Sequence, residues 1–384
     1  MVQRPFWIQK IKDAWEKRSL VWLSGVRRVG KTTLAKMIPD IIYLNCDLPS
    51  VQRELQEPEF FYRSLPPDSK IVFDEIHRLE KPSEVLKVGT DEFPHLKILA
   101  TGSSTLAASR KFRDTLTGRK IEIHLTPVLW TECLENFQIA NLDRRFLHGG
   151  LPEPLLASQK DVYFFSEWLD SFYARDIQEL FGIRNRVGFL KLFHLLLRQS
   201  GGLADYTQLA RLADINRLTV KAHLEALQIT HAIYVLPPYH GKSRREITRR
   251  PKIYAFDTGF ITFAKGWDSI REEDRGYLWE HLILDILQTM VPRSHIYFWR
   301  DKSGNEIDFV LALSRSQTIC IECKINPDSF QLKPLRLFRN KYPLGENIVV
   351  SPVIERPYSR QFDNFIIQFH SVFSFMNYLD SITV

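Results

Sequence analysis

The sequence predicts an α/β protein in three parts. An α/β domain on a parallel sheet spans 1–150, a helical region with a winged helix-turn-helix spans 151–268, and a second α/β domain spans 269–384. Three observations point there. Short apolar strands alternate with helical stretches in the first third. A glycine loop of the form G-x-x-x-x-G-K-[ST] stands between a strand and a helix. Near the C-terminus, carboxylates and a lysine interrupt two apolar strands.

The loop is Gly25-Val26-Arg27-Arg28-Val29-Gly30-Lys31-Thr32. The apolar run Leu20–Leu23 leads in, and Thr33-Leu34-Ala35-Lys36-Met37-Ile38 reads as a helix that Pro39 stops. Such a loop turns backbone N–H groups toward the phosphates of a nucleotide, and the helix start adds partial positive charge. Lys31 is expected at the β- and γ-phosphates and Thr32 on Mg²⁺, with Thr33 beside them.

Further strands are expected at Ile41–Asn45, Ile71–Asp74, Ile98–Thr101 and Ile121–Leu125. Each is short, β-branched or apolar, and bounded by polar or turn residues. Lys70-Ile71-Val72-Phe73-Asp74-Glu75 is a buried strand ending in two carboxylates. At the carboxyl edge of an open sheet, Asp74 is expected in the Mg²⁺ shell and Glu75 on the attacking water. The next strand ends in Thr101-Gly102-Ser103-Ser104, where Thr101 or Ser103 would orient that water. Phosphoryl transfer gains from an arginine against the developing charge, often a neighbouring subunit's. Arg119 is the first choice and Arg113 the second, with Arg110 nearby.

The order of these elements resembles the AAA+ branch of P-loop ATPases, which carry an extra strand, here Ile41–Asn45, between the loop strand and the Asp-Glu strand. Several segments are similar to a large prokaryotic family joining an AAA ATPase to a C-terminal domain long labelled as of unknown function. They are the Gly25–Thr33 loop, Thr101–Ser104, Leu116-Thr117-Gly118-Arg119, Gly150-Leu151-Pro152-Glu153 and Lys252-Ile253-Tyr254-Ala255-Phe256-Asp257-Thr258-Gly259. The resemblance covers nearly the whole chain. It implies architecture more firmly than cellular role. The residues give no physical account of Asp257-Thr258-Gly259.

After the junction Gly149–Pro154, helical apolar spacing covers Asp161–Leu180 and Val187–Arg198. Thr207–Ala213, a turn at Asp214–Asn216, and Arg217–Leu227 read as helix–turn–helix, with Asn216 as N-cap. Val220, Leu224 and Leu227 share the core face, while Arg217, Thr219 and Lys221 lie elsewhere. The strand Ala232–Leu236 follows, then Lys242, Arg244, Arg245, Arg249, Arg250 and Lys252 opposed only by Glu246. That is the charge of a wing that neutralises DNA phosphates. Winged helices also serve as protein-contact modules, and a basic hairpin can be merely solvated.

In the last part, Glu306-Ile307-Asp308-Phe309-Val310 opens one strand, and Ile319-Cys320-Ile321-Glu322-Cys323-Lys324 forms another. Glu322 and Lys324 share a face, because side chains alternate along a strand. A carboxylate in an apolar strand is costly unless paired. Asp308 and Glu322 are expected to bind Mg²⁺ or Mn²⁺, with Lys324 activating water. Glu280, on the helix Tyr277–Leu287, borders the buried side and completes the set. This arrangement resembles the PD-(D/E)XK nucleases, and its order and spacing look most like archaeal Holliday-junction resolvases, although Ile307 replaces the proline of the motif. The alternative is a salt-bridged strand pair that only binds DNA or protein. Cys320 and Cys323 point to opposite faces and read as strand filler. His77 and His281 are given no role.

Net charge is +7, from 52 Lys and Arg against 45 Asp and Glu. That favours a polyanionic partner weakly. Cys46, Cys133, Cys320 and Cys323 suit a reducing compartment. No apolar run is long enough for a bilayer and the start lacks a signal core, so a cytoplasmic protein is expected. Together these features predict an ATP-hydrolysing, DNA-binding AAA+ protein, with MgATP as cofactor, assembling as a homo-oligomer such as a hexameric ring. It would act on branched or damaged DNA in recombination, repair or defence. The alternatives are an ATP-dependent oligomeric switch, or a transcription regulator whose C-terminal domain only binds DNA or a protein.

Overall fold

The computed structural model describes residues 2–102, 115–240, 250–314 and 317–383. Ser103, Ser104, Arg110, Arg113, Lys242, Arg244, Arg245, Glu246 and Arg249 lie outside them. The chain divides into two compact units. The first is Met1–Thr126 with Asp170–Ile183 and Ile229–Ala232. The second is Pro127–Leu169, Arg184–Gln228 and Ile233–Val384.

The first unit is built on strands β1 (Leu20–Ser24), β2 (Ile41–Asn45), β3 (Lys70–Asp74), β4 (Lys97–Thr101) and β5 (Lys120–His124). Their order is β2-β3-β4-β1-β5, and every pairing is parallel. The expected strands appear within a residue of their expected ends, and the central β1, β3 and β4 are apolar runs buried on both faces, as suits a parallel sheet. Leu20, Trp22, Ile71, Phe73 and Ile98 fill one core. Elsewhere the helix Pro5–Lys17 buries Trp7, Ile11 and Trp15, and the Trp15 indole donates to the Ile98 carbonyl at 2.9 Å. Parallel register puts Ser24, Asp74 and Thr101 at one edge of the sheet, where the glycine loop lies.

In the second unit, the helix Arg186–Arg198 is followed by β6 (Gly202–Leu203), the helices Tyr206–Ala213 and Arg217–Ile229, then β7 (Ile233–Leu236) and β8 (Lys252–Ala255). The strands form an antiparallel sheet in the order β6-β8-β7. Asn216 caps the second of these helices, its Oδ1 accepting the Thr219 N–H at 2.8 Å. Val220, Leu224 and Leu227 are buried, whereas Arg217 and Lys221 are exposed.

The helix Glu272–Met290 then leads to β9 (Ile296–Arg300), β10 (Glu306–Leu311) and β11 (Ile319–Cys323), an antiparallel series. After the helix Leu332–Lys341, β12 (Asn347–Val350) pairs parallel with β11. Strands β13 (Tyr358–Phe362) and β14 (Phe365–His370) complete a six-stranded sheet, β13-β14-β12-β11-β10-β9. A bridge between Pro238 and Phe298 ties the end of β7 to β9. Among the described residues no helix is long and apolar enough to cross a membrane.

The segments Gly150–Glu153 and Asp257–Gly259 gain a physical account in this unit. Asp257 caps the helix Thr258–Lys265 through the Gly259 N–H at 2.8 Å and takes the Gly150 N–H at 2.5 Å. A Cβ at Gly149 would stand 2.0 Å from Asp257 Oδ1, so only glycine fits there. Arg145, fully buried, donates to the Val128 carbonyl and to Thr258 Oγ1, and lies 3.7 Å from Asp285. These residues hold structure together rather than line a site.

Candidate active site and a buried carboxylate cluster

The loop's shape depends on two glycines. Gly25 has φ +147°, and a Cβ there would meet the Leu125 carbonyl oxygen at 2.6 Å. Gly30 has φ 101° and begins the helix Lys31–Ala35. Both conformations favour glycine. Arg4, buried, braces the loop from the chain start, its guanidinium reaching the carbonyls of Val29 and Thr126 at 3.4 Å. Lys31 Nζ bridges the loop, donating to the Gly25 carbonyl at 2.8 Å and the Val26 carbonyl at 3.2 Å. Burial pulls this ammonium's pKa down, against the pull of Glu75, Asp176 and Asp74.

Asp74, 3% exposed, gathers hydroxyls. Thr32 Oγ1 donates to its Oδ2 at 2.8 Å, Tyr43 to the same oxygen at 2.6 Å, and Thr101 to its Oδ1 at 2.6 Å. The Thr101 hydroxyl oxygen also accepts the Glu75 N–H at 3.0 Å, tying the two strand ends together. Thr32 and Asp74, hydroxyl against carboxylate, are the donor set that suits Mg²⁺ beside nucleotide phosphates. Glu75 stands at φ 55°, a sparsely populated conformation for a non-glycine residue, and its Oε2 lies 3.2 Å from His77 Nδ1. Burial lowers the His77 pKa, partly offset by Glu75. Thus Thr32, Asp74, Glu75 and Thr101 meet at the sheet edge beside the loop that holds Lys31.

Two members of the site escape sequence reading. Tyr43 lies two residues before Asn45, whose register partner is Asp74, so its place follows only once β2 is known to flank β3. Asp176, in the segment that returns to this unit, carries no signal at all. It stands 3.5 Å from Arg27 in the loop, and burial raises its pKa. Arg119 sits at the start of β5, the sheet edge away from the loop, where its guanidinium forks onto Asp91 at 2.6 and 3.0 Å.

Of the C-terminal set, Asp308, Glu322 and Lys324 lie together. Lys324 Nζ lies 2.6 Å from Glu322 Oε2 and 3.4 Å from Asp308 Oδ2, and the Cys323 N–H donates to Asp308 at 2.8 Å. Burial, then the nearby Asp308 charge, pushes the Glu322 pKa up to about 8. Its Oε1 is buried with no hydrogen-bond partner. Burial raises the pKa of Glu280 as well. Cys320 and Cys323 are buried free thiols.

Lys252 corrects the sequence reading. It does not join a solvated basic wing. It is 3% exposed on β8 and pairs with Glu280 at 3.0 Å and Glu306 at 2.5 Å, with Arg300 also on Glu306 at 2.8 Å. A buried ammonium requires such partners, and the return of β8 along β7 delivers it to them. Tyr254, two residues on, donates to Glu280. Of the remaining basic segment, Arg250 is exposed and pairs with Asp205 at 2.9 Å. Among the described residues, no group of three or more His, Cys, Asp and Glu gathers closely enough to hold a metal ion. His281 is structural: Ser200 lies 2.7 Å from its Nε2 and the Tyr277 carbonyl 2.7 Å from its Nδ1.

Residues 17–134 match the family model of an AAA domain. Residues 139–271 and 275–370 match two domains of unknown function, DUF8612 and DUF4143. An uncharacterized protein of Mycobacterium tuberculosis is 25% identical over 378 residues, covering 92% of this chain and 84% of that protein. One of Haemophilus influenzae is 23% identical over 298 residues, covering 69% and 74%. Among solved structures, a Walker-type ATPase of Pyrococcus abyssi is similar over 69% of this chain and 96% of its own, at 17% identity and a TM-score of 0.44. A RuvB variant of Thermotoga maritima is similar over 62% and 90%, at 17% identity and a TM-score of 0.30. With the strand order, the glycine loop and the hydroxyl-bound Asp74 in place, residues 17–134 form an AAA-type P-loop ATPase domain.

Proposed function

We propose that this chain is an ATP-hydrolysing protein that engages DNA through its second unit, and that it works as a homo-oligomer. The observation that carries the ATPase reading is the convergence of Thr32 and Thr101 on Asp74. MgATP, when bound, supplies the transferable phosphoryl group and the cation that neutralises its charge. Lys31 and the loop N–H groups bind phosphate oxygens, Thr32 and Asp74 hold the cation, and Glu75 orients and polarises water. Thr101 keeps Glu75 in register through its backbone. Arg119, at the far edge of its own sheet, suits a role at a neighbouring subunit's nucleotide. Loss of hydrolysis in Arg119→Ala that mixing with Lys31→Ala subunits fails to rescue would count against that role.

The DNA reading is supported by the order helix–strand–helix–helix–strand–strand, which is that of a winged helix, and by exposed Arg217, Lys221 and Arg250 with Thr219 between. Lys242, Arg244, Arg245 and Arg249, which lie outside the described residues, belong to the same reading by their charge. The helix–β9–β10–β11–helix–β12 series, with Lys324 paired to Asp308 and Glu322 and Glu280 on the preceding helix, supports a PD-(D/E)XK-like domain. On that reading Asp308 and Glu322, whose Oε1 is buried without a hydrogen-bond partner, would hold a divalent ion, with Glu280 as a further donor, and Lys324 would orient water. Branched or damaged DNA is the substrate class of that reading.

The deciding experiment measures ATP turnover of the wild type and of Glu75→Gln with no DNA, duplex, single strand and a four-way junction. DNA-dependent turnover in the wild type supports the reading. Turnover indifferent to every DNA overturns its DNA half, and turnover unchanged by Glu75→Gln overturns its catalytic half.

A further inference from the structure

We propose that Asp176 is a resident anion of the nucleotide site, pairing with Arg27 until the terminal phosphate of ATP takes over that arginine, so that the pair sets the preference for ATP over ADP. This rests on reading the glycine loop as an ATP site.

Arg27 belongs to the phosphate loop, and its Nη1 lies 3.5 Å from Asp176 Oδ2, with the two side chains 27% and 26% exposed. Asp176 stands on a π-helical turn, Tyr173–Gln178, a form of helix that recurs at functional sites. Buried Tyr173 and Ile177 seat the turn, and the Tyr173 hydroxyl donates to the Ile183 carbonyl at 2.8 Å. Glu179, just past the turn, lies 3.8 Å from Arg78, three residues beyond Glu75. One short stretch thus sets acids against both the phosphate loop and the segment that follows the β3 carboxylates. The Asp176 charge also acts on Lys31 and on Glu75, the residues assigned to the phosphates and to the attacking water. A guanidinium pairs with carboxylate and with phosphate through the same planar fork, so Arg27 can pass from one to the other. A terminal phosphate carries more negative charge than a carboxylate, and the two repel in a covered site. Burial already raises the Asp176 pKa, so its charge is the easier one to displace. ADP lacks that phosphate and leaves the Arg27–Asp176 pair as it is. Removing the carboxylate therefore helps ATP more than ADP.

The test is equilibrium binding of a fluorescent non-hydrolysable ATP analogue and of fluorescent ADP to the full chain, at one fixed Mg²⁺ concentration. Lys31→Ala defines the part of the binding that belongs to the loop. Asp176→Asn is expected to tighten the ATP analogue at least about fivefold, the lower end of coupling between linked equilibria, and ADP by less than about twofold. Asp176→Glu keeps the charge and is expected to restore the wild-type ratio of the two affinities. Equal tightening of both ligands, or unchanged or weaker binding of the ATP analogue in Asp176→Asn, overturns the inference and leaves the ATPase reading standing. No Lys31-sensitive binding of either ligand to the wild type overturns the ATPase reading itself. Should Asp176→Asn lose its cooperative thermal transition, Arg27→Gln decides. It is expected to weaken the ATP analogue about tenfold, the scale of one lost hydrogen bond to a charged group, with ADP nearly unchanged. Equal losses for the two ligands overturn the inference.

Discussion

In the first unit Asp74 is surrounded by hydroxyls, whereas in the second Asp308 and Glu322 are held by an ammonium, with Glu280 and Glu306 on a second one. The difference is chemical. Hydroxyls leave a carboxylate its charge, and a cation can join them without displacing anything. Ammonium groups cancel the charge, so an incoming cation has to compete. The first site suits loading and discharge of a nucleotide. The second is an ion-paired cluster, neutralised as it stands.

Functional loss without structural loss is expected at the first site. Glu75→Gln should lower ATP turnover by about 10²–10⁴-fold, the range for a lost general base, while nucleotide binding measured by fluorescence of a labelled ATP analogue persists. Structural loss is expected in the second unit. Arg145→Leu should cost about 3–5 kcal/mol in thermal unfolding, because it leaves the buried Asp285 and Asp257 carboxyls without their cation. A much smaller cost would erase the contrast between an open site and a closed ionic one.

His281 sharpens the comparison by pH. Burial lowers its pKa to about 4. A depressed histidine contributes stability above its unfolded value near 6.5, and that contribution is lost as pH falls toward 4. From pH 7 to pH 5 the His281 contribution alone should fall by about 2 kcal/mol, read by denaturant titration as the difference between the pH slopes of the wild type and His281→Gln, because Glu322 and Glu280, whose pKa values are raised, act in the opposite direction. The smallest effect is expected at Arg119. Its pair with Asp91 is at the surface, so Arg119→Ala should leave the denaturant midpoint nearly unchanged in the same titration.

Much of the ATPase site was legible because its chemistry is local. Lys31, Thr32, Asp74 and Glu75 sit in short runs whose spacing alone aims them at one sheet edge. Tyr43 and Asp176 were not legible, since their roles depend on which strand flanks which and on a segment that returns from more than a hundred residues downstream. Asp257 was legible only as a pattern. Its meaning, a cap that also holds the Gly150 N–H, needs the fold.

The sequence by itself determined the strands, the helix starts, the phosphate loop and the alternation that puts Glu322 and Lys324 on one face. These follow from backbone sterics and from the period of a strand, which act over a few residues. Only the tertiary structure decided where Lys252 goes. Along the chain it belongs to a basic run and reads as a solvated charge. In the fold, antiparallel pairing of β7 with β8 and the Pro238–Phe298 bridge carry it into a buried pocket with Glu280 and Glu306. A charge takes its role from the partners that share its desolvated space, and no local pattern names them.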